Sequence, residues 1–284
     1  MEKSAGSYDF GHFDENENEL SRLKRQAALA QELETQVLRG AGLGTGMKVL
    51  DLACGPGIVT RLMASIVGPT GQVTGVDLST ALLAEARSEP TREDSAPLDF
   101  QQGDVYALPF EDESFDFVYA RLLFQHLAKA QDALSEIRRV LRPGGMLCVM
   151  DIDDDWLFIY PEPDSFRAFT KAAGRGQSSA GGDRNVGRKL GTYLSKAEFA
   201  DVTVQVISVG SAAIGMKNFL DITTGFKLEQ VPAEERAAAA QQRSEIYRAA
   251  ANPHTFGLVG AFVVMGRRAG RQAPSHLTDR SLKL

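Results

Sequence analysis

From Lys48 onward the chain alternates short, almost wholly apolar runs with longer stretches in which apolar residues recur every three or four positions. Val49, Leu50, Leu52 and Ala53 form the near-continuous run expected of a central parallel strand buried on both faces. Ile58 to Val67 has helical periodicity, and Val73 to Asp77, Phe100 to Asp104 and Ser114 to Ala120 read as further strands. A helix over Ala130 to Val140 meets a Pro143-Gly144-Gly145 stop before a fifth strand ending at Asp151. From Trp156 to Arg184 the alternation ceases, broken by Pro161, Pro163, Gly174, Gly176, Gly181 and Gly182. It resumes with a helix over Gly187 to Ala200 and a strand over Val202 to Val209, departs again through Met216 to Ala251, and closes with Phe256 to Met265. Upstream, residues 15–39 read as a helix with Leu20, Leu23, Ala27, Leu33 and Val37 near a 3.6 period, set off by a glycine-rich Gly40 to Gly46 linker. Strands alternating with helices predict an α/β fold with a parallel sheet covered on both faces.

The chemistry concentrates where the first strand runs into Cys54-Gly55-Pro56-Gly57. Gly55 and Gly57 let the backbone turn tightly and approach a ligand, and the helix that follows presents free amides over the turn. Asp77 ends the next strand 22 positions beyond Gly55, a spacing that suits a carboxylate gripping a ribose diol. The third glycine of the dinucleotide fingerprint is absent, because Thr60 occupies its place, and this argues against NAD.

With the acid-ended third strand, the Ala107-Leu108-Pro109-Phe110 turn and the Pro143-Gly144-Gly145 stop in order, residues 45–153 resemble a class I S-adenosylmethionine-dependent methyltransferase. The likeness is to the branch containing ubiquinone and menaquinone biosynthesis methyltransferases and many small-molecule methyltransferases of secondary metabolism. It implies a Rossmann-like, seven-stranded, doubly wound sheet whose last strand is antiparallel, with an N-terminal helical lid. It also implies S-adenosyl-L-methionine as cofactor, with S-adenosyl-L-homocysteine as product. By resemblance, Asp51 orders the methionine portion, Asp77 accepts from the ribose, and Asp104 accepts from the adenine amino group beside the Val105 amide. Ala53, Gly55, Gly57, Leu78 and Gly103 complete the cofactor cradle, and Arg121 meets the methionine carboxylate or the acceptor. Family members often carry a histidine where His126 stands, which makes it the candidate base, with Tyr8 and His12 ahead of the lid helix as further candidates. The competing readings are a hydrogen-bonded structural histidine, turn acids at Asp51 and Asp104, a helix-leading acid at Asp77 and a surface arginine at Arg121.

The resemblance divides the chain into a lid over 1–40, a methyltransferase domain over 41–268 with cap insertions at about 154–186 and 210–252, and a polar tail over 269–284. Loops that vary around a fixed scaffold shape the acceptor pocket. Trp156, Phe158, Tyr160, Phe166 and Phe169 in the first insertion, and Phe219 and Phe226 in the second, suit an apolar acceptor and sulfonium–π contact, or else a small core of the cap itself. Asp151, Asp153 and Asp155 alternate along an extended strand end and read as solvated charge rather than a metal site. Asp183 and Arg184 read as the lead into the next helix.

Composition removes several classes of function. A 43% hydrophobic content over 284 residues supports a sizeable core. The net charge of −6, without a dominant Lys/Arg cluster, argues against a broad phosphate-binding surface, so no nucleic-acid partner is expected. Cys54 and Cys148 form no disulfide framework and read as small buried hydrophobes. Without an apolar leader, and with a longest apolar run far too short to span a bilayer, the protein is expected to be cytoplasmic with no membrane insertion. The partner is a small-molecule acceptor, and nothing decides between a monomer and a homo-oligomer. The reading is methyl transfer to an oxygen, nitrogen or carbon of a small, partly hydrophobic metabolite, in secondary metabolism or quinone synthesis. Its rivals are a non-methylating step such as cyclisation on the same scaffold, and a cofactor-sensing binding protein.

Overall fold

The computed structural model describes residues 16–270, with side chains from Leu20 onward. They form a seven-stranded sheet: β1 Lys48–Leu52, β2 Gln72–Asp77, β3 Leu98–Gln102, β4 Phe115–Arg121, β5 Leu141–Tyr160, β6 Phe199–Gly210 and β7 Phe256–Arg268, in the order β3-β2-β1-β4-β5-β7-β6. β1 is parallel to β2 and β4, β2 to β3, and β4 to β5, whereas β7 runs antiparallel to both β5 and β6. The expected reversal of the last strand is thus present. Strand order reverses between β1 and β4, so a crevice opens beyond their carboxyl ends, where open α/β sheets take ligands.

Helices α1 Asn16–Gly40, α2 Ile58–Val67, α3 Thr80–Ser88 and α4 Ala130–Val140 accompany the first strands. Then come α5 Asp164–Ser179, α6 Leu190–Lys196, α7 Ser211–Ile214, α8 Met216–Thr224, α9 Lys227–Gln230 and α10 Arg236–Ala249. The period-2 pattern of the strands sorts the core onto two faces. Val49, Phe117 and Tyr119 pack with Met63 and Val67 of α2 and Val37 and Leu38 of α1, while Leu50, Leu52, Val118 and Ala120 pack with Leu134 and Ile137 of α4.

A third cluster lies beyond the expected end of the fifth strand. β5 runs on to Tyr160 through an irregularity between Ile152 and Leu157, and pairs with the first residues of β7. Leu157 and Ile159 then pack with Phe166 and Phe169 of α5, Phe219 of α8 and Ile246 of α10. The sequence reads this stretch as broken because Gly174 and Gly176 look like helix breakers, yet both lie inside α5. Gly176 is there for close approach, since a Cβ would sit 1.7 Å from the Gln230 carbonyl at the end of α9. The aromatics Phe166, Phe169 and Phe219 therefore form a core of their own. Tyr8 and His12 lie outside the described residues. Among the described residues no helix is long and apolar enough to cross a membrane.

Candidate functional site

The glycine turn holds three consecutive odd-numbered residues in the left-handed region: Ala53 at φ 55°, Gly55 at 54° and Gly57 at 75°. A non-glycine residue held there is strain of the kind that collects at ligand sites. Gly57 is also fixed by space, because a Cβ would lie 2.8 Å from both the Phe100 ring and the Arg61 guanidinium. Across the turn, Asp77 is held by two backbone donors, Gly55 N–H to Oδ2 and Ser79 N–H to Oδ1, each at 2.8 Å. Burial pushes its carboxyl above the ordinary range against those hydrogen bonds. Ser79 in turn caps α3 by accepting from Leu82 N–H.

Next to Asp77 along the rim, Leu78 leaves a side chain 49% exposed. Gly103 N–H donates to the Asp77 carbonyl, and a Cβ on Gly103 would lie 2.9 Å from Val76. Asp104 accepts from Tyr106 N–H at 3.0 Å in a tight turn, and the Val105 side chain is buried beneath it. The turn reading and the ligand reading of Asp104 are compatible, since one backbone contact leaves a carboxylate other lone pairs to offer.

Asp51 is almost fully buried and accepts from Thr60 Oγ1 at 2.6 Å. The residue that replaces the third glycine is therefore the hydrogen-bond partner of the first acid. Burial pushes Asp51 up to about 7; Thr60 opposes this, Glu34 and Asp77 add to it, and Arg121 opposes it. Glu34 reaches this point from α1, 1% exposed, where its Oε1 accepts from the Tyr119 hydroxyl at 2.5 Å and lies 3.0 Å from Arg121 Nε in an ion contact off the hydrogen-bond angle. Its Oε2 is buried with no hydrogen-bond partner. Arg121 is not a surface arginine: its side chain is 16% exposed and ends β4 beside Leu122, itself at φ 54°. Glu34 and Tyr119 were missed in the sequence. Glu34 carried a signal, since it falls within the buried stripe Ala27, Val37, Leu38 of its helix, where a charge needs a reason.

Between α1 and the ends of β4, β5 and β7 lies a cavity of about 140 Å³, walled by Leu29, Leu33, Met150, Ile152 and Val259 among other apolar residues. Arg121 and Leu122 line it, as do Gln125, Asp154, Arg184 and Phe226. Arg184 makes a bidentate pair with Asp154 at 2.8 and 3.1 Å and donates to Gln125 Oε1 at 2.6 Å. Lys227, wholly buried, donates to the same Asp154 at 2.5 Å. Arg184 is therefore no helix lead. Asp151 and Asp153 are not solvated charge either, whereas Asp155 is exposed, as read from the sequence. Asp151 is buried and accepts from the Gln125 and Ile152 amides, and buried Asp153 is held by Arg188 and Asn185. Continuation of β5 past Asp151 encloses these acids.

His126 sits in a short 3-10 turn at Phe124–His126, its Nδ1 3.4 Å from the Gln177 amide nitrogen. Burial, then Arg184 and Arg22, push its imidazole down to about 3, so it is neutral at physiological pH. It is not among the residues lining the cavity.

Residues 50–149 match a family model described as a methyltransferase domain. Over 180 residues the chain is 34% identical to an uncharacterized 37.1 kDa protein of transposon TN4556 from Streptomyces fradiae, covering 63% of this chain and 51% of that protein. Over 127 residues it is 35% identical to the demethylmenaquinone methyltransferase of Staphylococcus aureus, covering 45% of this chain and 52% of that one. The chain spans about half the length of these relatives. Among solved structures, the cyclase SpnF matches with a TM-score of 0.57 at 21% identity, over 85% of this chain and 82% of that one. Haemonchus contortus phosphoethanolamine N-methyltransferase 2, in complex with S-adenosyl-L-methionine, matches at 0.55 and 21%, over 84% and 52%. At such identities the structural likeness is one of fold.

Proposed function

Because residues 50–149 form a class I S-adenosylmethionine-dependent methyltransferase domain, we propose that this protein transfers a methyl group to a small, partly hydrophobic acceptor bound in the cavity between α1 and the sheet. The observation that carries the reading is the position of that cavity. Its apolar walls meet Arg121 and Leu122 at the carboxyl end of β4, with Met150 of β5 paired beside Arg121, on the same rim as Asp51, Asp77 and the glycine turn.

The residues fit the cofactor on charge as well as shape. Asp51, Glu34 and Asp77 bring three carboxyl groups to a buried region whose cation is Arg121, and the orphaned Glu34 Oε2 lacks a partner there. Such an excess of acid matches a ligand that carries an ammonium and a sulfonium. In this reading the backbone-held Asp77 accepts from the ribose hydroxyls, Asp104 from the adenine amino group, and exposed Leu78 covers the base. S-adenosylmethionine supplies a methyl group already activated by its sulfonium. The chain's residues then have to align the acceptor and exclude water, which is positioning rather than acid–base work. His126, neutral and off the cavity wall, is read as a structural residue that supports the 3-10 turn. We read α1 as the lid and α5 with α8 to α10 as the cap.

Calorimetric titration of the wild type and Asp77→Ala with S-adenosylmethionine and S-adenosylhomocysteine tests this. Binding by the wild type, lost in a variant with an unchanged melting profile, supports the site and justifies screening apolar acceptors for a methyl mass gain. Absence of wild-type binding sinks the reading. Acceptor turnover with no S-adenosylhomocysteine formed would replace methyl transfer by a non-methylating reaction on the same scaffold.

A further inference from the structure

The polar end of the cavity is formed by Arg184 and Asp154, and Asp154 is shared with a second buried cation, Lys227, which is not itself in the cavity wall. Arg184 comes from the segment before α6, Lys227 begins α9, and both are spent on Asp154 of β5. Phe226 carries the same sign of charge around its ring: the guanidinium carbons of Arg184 and Arg22 stand 4.9 and 5.0 Å from its centroid, and Lys227 Nζ 5.9 Å. Arg184 is 5% exposed and Lys227 fully buried, so water does little to offset the surplus, and unpaired charge in such a place is costly. Every other wall of the cavity is mostly apolar.

We propose, building on the methyltransferase reading, that the acceptor carries an acidic group ionised at neutral pH, a carboxylate or an equally charged enolate, which docks against Arg184 while its apolar body fills the cavity. Arg184 faces the cavity, and its guanidinium is oriented by Asp154 and Gln125, so it presents a fixed donor to an incoming anion. Asp154 then supplies one negative charge and the ligand the second against the two cations, because Asp151, the other acid near Arg184, is pushed up to about 7 by burial and is only partly ionised. Lys227 reports this balance. Its ammonium is pushed down to about 7, by burial first and Arg184 next, against the pull of Asp154. An anion at Arg184 pulls it up again, so binding at pH 7.5 draws a proton onto Lys227. Where the docked anion is itself the atom group that is methylated, no proton has to be removed and no protein base is needed, consistent with a neutral His126 away from the cavity.

The test uses the full chain with 2-naphthoate and methyl 2-naphthoate, titrated calorimetrically in two buffers of different ionisation enthalpy, first alone and then with saturating S-adenosylhomocysteine. The acid is expected to bind about tenfold or more tighter than the ester and to take up protons at pH 7.5, because hydrogen bonds to charged partners outweigh neutral ones. Lys227→Met should abolish the uptake and bring the acid-to-ester affinity ratio close to one. If that variant does not fold, the wild-type ratio and proton uptake decide. Equal or tighter ester binding, or no binding of the acid, overturns the proposal. Failure to bind S-adenosylhomocysteine sinks the methyltransferase reading instead, and leaves the acid-to-ester ratio of the protein alone to judge this one.

Discussion

At the proposed cofactor end, the holding groups are largely backbone and sit within one strand–turn–helix unit and its neighbour: the left-handed turn at Ala53, Gly55 and Gly57, and the two amides on Asp77. At the acceptor end they are side chains drawn from distant segments, with Asp154 paired to Arg184 30 positions away and to Lys227 73 positions away. The first end carries surplus acid and the second surplus base. A turn shape can be inherited by a whole family while its acceptor changes, because a backbone nest tolerates most side-chain substitution and a buried charge network does not. The contrast makes a prediction about stability. The acceptor end should be integral to folding, and the cofactor end should be dispensable to it.

Asp154→Ala is the strongest way to break that contrast. It strands Arg184 and Lys227 in a dry site, and removal of one partner from a buried ion pair costs about 3–5 kcal/mol. Chemical denaturation should show a loss of that size, whereas Asp77→Ala loses cofactor binding with little change in midpoint. Near-equal stabilities of the two variants would erase the distinction. Although burial works against it, Arg184 and Lys227 hold the Asp154 carboxyl well below its ordinary range. Its stabilising share is therefore complete above the ordinary carboxylate pKa and disappears as pH falls below it.

The difference between the ends also decides what could be read in advance. The strands of the first half and the glycine turn were legible because each has a local cause, apolar alternation, a φ that only small residues take cheaply and an acid at a strand end, whereas the seven-stranded sheet with its reversed last strand was expected from the family resemblance alone. Arg184 and Lys227 have no such cause. A single arginine after Asp183 and a lysine after Phe226 look like solvated charges until the chain folds β5 past Asp151 and brings α9 against it. The burial of Asp151 and Asp153 has no local signature for the same reason, since only the continuation of β5 through its irregularity encloses them. Thr60 was legible as a missing glycine, but not as a partner for Asp51, which lies nine positions away across the turn.

Thr60→Val sharpens the cofactor side with a smaller effect. The shape is kept and the 2.6 Å donor to Asp51 is lost, so the Asp51 carboxyl moves higher and holds its proton at neutral pH. Affinity for S-adenosylmethionine at pH 7 should fall about tenfold, the cost of one charge-assisted hydrogen bond. In the wild type, Asp51 titrates near 7, above its unfolded value, so its ionisation opposes folding progressively as pH rises towards 7. A cationic ligand favours the ionised form. Affinity should therefore climb between pH 6 and 8 by up to about tenfold per unit below 7, and level off above. Asp51→Asn should flatten the profile. A wild-type profile with no slope would remove Asp51 from the cofactor site.

The smallest effect expected is from Tyr119→Phe, and it separates the two roles of Glu34. The hydroxyl of Tyr119, kept protonated by burial and by the neighbouring Glu34 carboxylate, donates to Glu34 Oε1. Without it Glu34 retains Arg121 at 3.0 Å, so the ion contact at the proposed cofactor end survives while one buried hydrogen bond is lost. Stability should fall by about 1.5 kcal/mol, as for a hydrogen bond to a charged acceptor, and cofactor affinity by less than about threefold. Glu34→Gln weighs the other way. The amide still fills the helix stripe and can accept from Tyr119, but the negative charge opposite Arg121 and at the orphaned oxygen is gone, so affinity should drop by more than that threefold bound, along with the stability lost where Arg121 is left without its acid. If both variants lose stability alone, α1 is packed over the site without touching what binds there.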